Sequence, residues 1–372
     1  MPRILTIPLN INDTFHYIMD KVNPKEFSKS KTDKAGIILC SDISPEKEKI
    51  DALGVLSNWR GAHSYPMHIF KKRLKIVSEK IDKNALSAQR LKRVPSIINK
   101  LKRRYDNKEP TMKLTQMQDI AGCRVVMSNV DLVNKLHSEY YVKGDIKHKK
   151  VNEKNYIVEP KKDGYRSIHL IYRFFSDKGK KIYNGLLVEI QIRSKLQHLW
   201  ATAVETVDFF TRQAIKSNQG QEDWVKFFRL VSSAFAKIEN CPTIPNTPAD
   251  EKELYLTIKA KEKELNVIYK MRTWTKSLKH FDNLKNKKNV HFFLLELDTT
   301  QEKLTISAYS KRNEEKAIQD YSDAEKKIYG KKEYDVVLVG ADTIQDLKKA
   351  YPNYFLDTEE FIVILEKILD KY

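Results

Sequence analysis

Cysteine is scarce: Cys40, Cys123 and Cys241 are the only three in 372 residues, scattered and without a CxxC pair. That excludes a disulfide framework and a cysteine-built zinc site. Glycine (11) and proline (12) are also sparse, while 41% of the residues are hydrophobic and 31% charged. Collagen-like and disordered classes are thereby excluded. No apolar run approaches the ~18 residues of a membrane span, and no hydrophobic leader follows Met1. The expectation is a cytoplasmic protein with no membrane partner. A Walker-A loop, a nucleophile elbow and an HExxH motif are all missing, so nothing points to covalent catalysis.

What is abundant is positive charge. The formal net charge is +19. Residues 51–200 hold 32 basic and 14 acidic side chains, a local excess of +18, whereas 201–372 hold 28 of each. A bias in lysine usage alone would spread evenly along the chain. An excess confined to one block attracts polyanions, nucleic acid or nucleotide phosphates. Lys71, Lys72, Arg73, Lys149 and Lys150 are candidate backbone contacts for such a partner.

The hydrophobic periodicity predicts an α+β chain. Helices are expected over 46–58, 67–81, 96–105, 195–213, 222–238, 251–270, 313–328, 343–350 and 358–370. Strands are expected over 120–127, 167–174, 186–193, 290–297, 303–308 and 334–339. Pro242, Pro245 and Pro248 mark a linker. The predicted organisation is a first domain over 1–215, a helical connector over 216–272 and a small α+β domain over 273–372.

The sharpest signal is Leu187-Val188-Glu189-Ile190-Gln191-Ile192-Arg193. Period two buries Val188, Ile190 and Ile192 and aligns Glu189, Gln191 and Arg193 on the other face. Ser167-Ile168-His169 is a candidate neighbour, led by the basic turn Lys161-Lys162-Asp163-Gly164-Tyr165-Arg166. Tyr165 there offers an aromatic platform for a base. Asp119 precedes a third strand that carries Arg124. Two carboxylates among many cations suit Mg²⁺-assisted phosphoryl transfer, in which hard oxygens hold the metal and cations the phosphates. A regular strand would point Asp119 and Arg124 to opposite faces, so Asp119 must lie in the preceding turn or Gly122 must mark a bulge. His198, Thr202 and Glu205 share one face of the following helix.

Taken in order, these segments resemble the synthetase domain of the RelA/SpoT family over roughly residues 45–215. The matches are Arg90-Leu91-Lys92 with Ser96, Asp119-Ile120-Ala121-Gly122 with Arg124, Gly164-Tyr165-Arg166-Ser167-Ile168-His169, and Glu189-Ile190-Gln191-Ile192-Arg193 with His198 and Trp200. The resemblance implies a nucleotidyltransferase-like mixed sheet flanked by helices. It also implies an enzyme that moves the β,γ-pyrophosphate of ATP to a ribose 3′-hydroxyl and leaves AMP. By resemblance, Arg90 and Arg124 sandwich the adenine, while Lys92, Ser96 and Lys100 hold phosphates. Asp119 and Glu189 bind Mg²⁺, and Glu189 accepts the attacking hydroxyl's proton. Tyr165 stacks the acceptor base; Lys161, His169, Gln191, Arg193 and His198 hold the acceptor.

Two departures stand out. No histidine is followed by aspartate, so the hydrolase of bifunctional members is not expected, and Thr206 follows Glu205 where the family commonly has a Glu-His pair. Asn58-Trp59-Arg60-Gly61-Ala62-His63-Ser64-Tyr65-Pro66 resembles the toxic small alarmone synthetases. Val339-Gly340-Ala341-Asp342 and Tyr351-Pro352-Asn353-Tyr354-Phe355 resemble the CapRel branch of fused toxin–antitoxins in anti-phage defence. That branch implies the 3′-CCA end of tRNA as acceptor, and inhibition in cis by the C-terminal domain until a phage protein, typically a capsid protein, releases it. Tyr351 and Tyr354 would occlude the ATP site. Two other readings stay open: an alarmone synthetase acting on GDP or GTP, and a basic RNA-binding or phage-sensing protein without activity.

Overall fold

The computed structural model describes residues 27–103, 110–144, 146–211, 222–265, 267–268, 271–272, 292–298, 303–328, 334–340 and 358–372. Three helices, α1 (Lys29–Cys40), α2 (Glu46–Ala62) and α3 (Ser64–Ile81), lead into β1 (Leu86–Leu91) and α4 (Val94–Leu101). The alternation then continues with β2 (Ala121–Met127), α5 (Val130–Leu136), β3 (Lys149–Asn155), β4 (Ile168–Arg173) and β5 (Leu187–Ser194). These five strands form one mixed sheet in the order β1-β2-β5-β4-β3. Only β2 and β5 run parallel; the other neighbours are antiparallel.

Period two gives the sheet its two faces. Ala121, Cys123, Val125, Val188, Ile190, Ile192, Leu170 and Tyr172 are buried on one. Helix α3 covers this face, and the Cys123 thiol donates to the Met67 carbonyl at 3.3 Å. Each such side chain contributes about 1.5–3 kcal/mol on leaving water. The opposite face carries Arg90, Arg124, Glu189, Gln191 and His169 in register. The motif around Trp59 is core: Trp59 and His63 are buried with their rings 4.8 Å apart, edge to face.

Helices α6 (Lys195–Thr211), α7 (Glu222–Ile238) and α8 (Glu251–Leu265) follow. A small antiparallel sheet comes next, β6 (Phe292–Asp298), β7 (Lys303–Tyr309) and β8 (Tyr334–Gly340), in the order β7-β6-β8, with α9 (Glu314–Ile328) against it. The last helix, α10 (Glu359–Leu369), returns to the first half of the chain. Its Phe361, Ile362, Leu365 and Ile368 are buried in one cluster with α6, α7 and α8. Phe361 lies 6.2 Å from Phe228 and 5.8 Å from Phe235, ring to ring. Lys195–Glu360 (2.6 Å) and Arg272–Glu366 (2.6 Å) add ion pairs at its rim. Thus α10, expected with the small C-terminal domain, packs on the helices that follow β5. The expected helix over 343–350 lies outside the described residues.

Candidate active site

The strand register assembles the polar face row by row. Gly122 stands between Arg90 on β1 and Glu189 on β5, and Arg124 stands opposite Gln191, which in turn faces His169 on β4. Gly122 leaves this row open: a Cβ there would find nothing nearer than the Arg90 carbonyl oxygen, 3.9 Å away. The neighbouring side chains therefore flank a gap floored by backbone.

Asp119 lies in the turn just before β2, and the β2 pairing is regular through Gly122. The turn, not a bulge, is what lets Asp119 and Arg124 serve the same face. Lys92 Nζ donates to Asp119 Oδ2 at 3.1 Å and Lys100 Nζ to Oδ1 at 2.8 Å. Lys100 and Ser96 sit four residues apart on α4, whose Ile97 and Leu101 anchor it in the core. Burial pushes the Asp119 carboxyl's pKa up, but the two lysines outweigh it and hold it below the usual value. Burial likewise raises that of Glu189 and the Asp119 charge adds to this, but His169 and the Gln191 hydrogen bond together outweigh both and hold it below the usual value. The two carboxylates therefore feel one another and both stay ionised.

Glu189 is fully engaged. Gln191 Nε2 donates to its Oε2 at 2.7 Å, and His169 Nδ1 lies 2.9 Å from its Oε1. The other ring nitrogen of His169 is 2.9 Å from the Tyr165 hydroxyl. Lys161 Nζ sits over two rings, 4.7 Å from Tyr156 and 4.9 Å from Tyr165. Arg193 is 3% exposed and hydrogen-bonds to His198 Nδ1. Burial, then the charges of Arg193, Arg124 and Lys195, hold His198 well below the ordinary histidine value, so its ring is neutral and accepts. Burial draws Arg193 down to about 10, with Arg90 adding repulsion. Arg124 is lowered by burial and by Arg193 and Arg90 in turn. Three crowded guanidiniums favour an anion between them.

The Tyr165 turn is held from outside the sheet. Gly164 has φ +100°, and a Cβ there would come 2.8 Å from a Trp200 ring carbon and 3.0 Å from Ser232 Cβ. Ser232 Oγ donates to the Gly164 carbonyl at 2.6 Å, and Arg166 spans from Ser232 (3.1 Å) to the Pro242 carbonyl (2.7 Å). Helix α7, read as connector, thus shapes the Tyr165 side of the site.

The expected nucleotide- and acceptor-binding residues from Arg90 to His198 lie on this face, its flanking turns, α4 (Ser96 and Lys100) or the helix after β5, with Arg90 on β1. Tyr156 was not expected; it packs edge-on against Tyr165 and His169. Lys71, Lys72 and Arg73 lie on α3, across the sheet from the site, and Lys150 pairs with Glu153 at 2.5 Å on the edge strand β3. Tyr351 and Tyr354 lie outside the described residues.

Comparison with known proteins points one way. Residues 89–209 match the family model described as a region found in RelA / SpoT proteins. The chain is 34% identical over 122 residues to the GTP pyrophosphokinase YjbM of Bacillus subtilis, covering 32% of this chain and 54% of that one. A second Bacillus subtilis GTP pyrophosphokinase, YwaC, is 33% identical over 119 residues, covering 30% and 52%. The chain spans about half the length of the curated relatives it matches. Among solved structures, small alarmone synthetase 1 of Bacillus subtilis overlaps with a TM-score of 0.40 at 22% identity, over 50% of this chain and 92% of that one. The stretch that matches the region found in RelA / SpoT proteins holds the carboxylates, lysines, arginines and rings of the polar face described above.

Proposed function

We propose that this chain is an ATP-dependent pyrophosphotransferase that moves the β,γ-pyrophosphate of ATP onto a ribose 3′-hydroxyl and releases AMP. The observation that carries the reading is the placing of two carboxylates at one polar face, Asp119 held by Lys92 and Lys100 and Glu189 held by His169 and Gln191. Lys92 and Lys100 already hold an anion, Asp119, and would hold the triphosphate, with Ser96 beside them. Arg90 and Arg124 flank the open row at Gly122 and suit an adenine ring between planar guanidiniums. Across the row, Lys161, His169, Gln191 and Arg193 surround Tyr165, whose ring would stack the acceptor base.

Asp119 and Glu189 fit Mg²⁺. Their oxygens are hard donors, and Mg²⁺ is commonly bound through one or two carboxylates together with substrate phosphates. No third protein ligand is needed, and none of the described residues form a cluster of three or more His, Cys, Asp or Glu. Bound there, the ion would neutralise charge on the transferred group. Glu189 is the group placed to take the proton of the attacking hydroxyl.

For the acceptor, the +18 excess over residues 51–200 favours a polyanion, and we take the 3′-CCA end of tRNA as the substrate. The relatives' description as GTP pyrophosphokinases favours GDP or GTP as the second reading. Control by the C-terminal region through Tyr351 and Tyr354, relieved by a phage protein such as a capsid protein, completes the proposed role as a defence toxin. The test uses the full chain and a Tyr351→Ala/Tyr354→Ala variant, each given γ-labelled ATP, Mg²⁺ and either deacylated tRNA or GDP. Label in tRNA that rises in the double variant supports the whole reading. Label in GDP alone replaces the acceptor, and label in neither overturns the activity.

A further inference from the structure

We infer that the hydroxyl of Tyr165, acting through His169, positions Glu189, a task separate from the stacking surface its ring provides. The inference rests on the proposed reading of Glu189 as the group facing the attacking hydroxyl. A tyrosine needed only as a platform has no use for its hydroxyl, since phenylalanine offers the same ring. Here the hydroxyl is 2.9 Å from His169 Nε2, and His169 Nδ1 is 2.9 Å from Glu189 Oε1.

At Glu189 the direction of each hydrogen bond follows from the chemistry of its ends. An ionised carboxylate only accepts, so His169 Nδ1 carries the proton it shares with Glu189. Gln191 Nε2 supplies the second donor, at 2.7 Å from Oε2. Nε2 meets the Tyr165 hydroxyl, which can answer it as donor or as acceptor. The tyrosine oxygen is approached in turn by Arg193, whose guanidinium can only donate. The contacts therefore run unbroken from Arg193 through Tyr165 and His169 to Glu189.

The surroundings hold this chain in place. His169 is fixed on β4 opposite Gln191 on β5. Tyr156 meets the imidazole edge-on at 5.2 Å and the Tyr165 ring at 6.2 Å. The Tyr165 turn is pinned to α7 through Ser232. With both carboxylate oxygens held, Glu189 has one orientation, which is the preorganisation that a proton-accepting group requires. Losing the hydroxyl leaves Nε2 without its partner, frees the imidazole to turn about its Cβ–Cγ bond and so loosens its hold on Glu189.

The test is Tyr165→Phe in the full chain, with His169→Ala and the double variant. The turnover number for pyrophosphate transfer should fall about tenfold in Tyr165→Phe while the acceptor KM stays within about twofold, because the ring remains. In the His169→Ala background the same change should add less than about twofold, since both substitutions break one chain. A readout independent of activity is the nitrogen spectrum of ¹⁵N-histidine-labelled full chain. Its His169 ring signals should shift in Tyr165→Phe, because the partner of Nε2 is lost. A Tyr165→Phe variant that changes only the acceptor KM, additive losses, or a His169 signal indifferent to the hydroxyl would each overturn the inference. If the wild-type chain transfers nothing, the reading of the activity fails, and the nitrogen spectrum still decides whether the hydrogen-bonded chain exists.

Discussion

Removing the Phe361 side chain should cost as much as a truncation in the middle of a packed core. Phe361 is fully buried, with Phe228 and Phe235 within 6.2 and 5.8 Å of its ring. Phe→Ala in a packed core costs about 3–5 kcal/mol, the lost transfer energy plus the cavity left behind. Against a typical stability of about 5–15 kcal/mol that is a large fraction. Val363, on the outer side of the same helix and 46% exposed, provides the internal control, and Val363→Ala should cost no more than about 0.5 kcal/mol. Urea unfolding of the full chain, followed by tryptophan fluorescence, measures both, because Trp200 and Trp224 belong to the cluster Phe361 completes. A Phe361→Ala loss below about 1 kcal/mol would refute the placement of α10 against α6, α7 and α8. The consequence reaches the site. Phe228 accepts a hydrogen bond from Trp200 Nε1 at 2.7 Å, and Trp200 abuts Gly164 beside Tyr165. A chain cut before Glu251 lacks α8 and α10, exposes this cluster and should lose activity rather than be released from inhibition.

Other consequences are as direct. Gly164→Ala sets a Cβ against Trp200 at 2.8 Å in a left-handed backbone conformation, so it should destabilise by at least ~1–3 kcal/mol and raise the acceptor KM, measurable by unfolding and steady-state kinetics. Asp82 accepts backbone N–H bonds from Ser128 (2.7 Å) and Asn84 (2.9 Å). Burial raises its pKa, but these bonds outweigh it and leave the carboxyl below its ordinary value. Asp82→Asn should therefore cost about 1–2 kcal/mol at pH 7. Because the folded-state pKa is the lower one, this stability is present above the unfolded value and is lost as pH falls through the folded value. The gap between wild type and variant should therefore close below about pH 4 in unfolding measured against pH. If tRNA is the acceptor, its affinity should fall steeply and log-linearly with salt, while that for a free nucleotide should fall much less.

The centre of the sheet was legible because burial imposes a period that the residues must obey. Val188, Ile190 and Ile192 alternate with Glu189, Gln191 and Arg193, and only one register satisfies both faces. The conflict between Asp119 and Arg124 was also visible as a geometric problem, and the turn before β2 resolves it. The edge strands gave no such signal. Leu-Ser-Ala-Gln-Arg-Leu over 86–91 has apolar ends and a mixed middle, and Lys-Lys-Val-Asn-Glu-Lys-Asn over 149–155 is polar but for Val151, as suits an edge that must not recruit a further strand. Arg90 was therefore identified without its strand. Tyr156 follows that polar edge and has no pattern of its own. Amphipathicity over 358–370 announced a buried face on the last helix but not its partner. Phe361 meets Phe228 across 133 positions of chain, and no local periodicity encodes such a pairing.

The most direct measurement compares the full chain with its Glu189→Gln variant, each supplied with γ-labelled ATP, Mg²⁺ and deacylated tRNA or GDP, with labelled acceptor and AMP both counted. Both should appear in equal amounts with the wild type and fall by about 10²–10⁴ in the variant, as expected when a positioned proton acceptor is lost. Equal activity in the two proteins, or AMP formed without any labelled acceptor, would contradict the account.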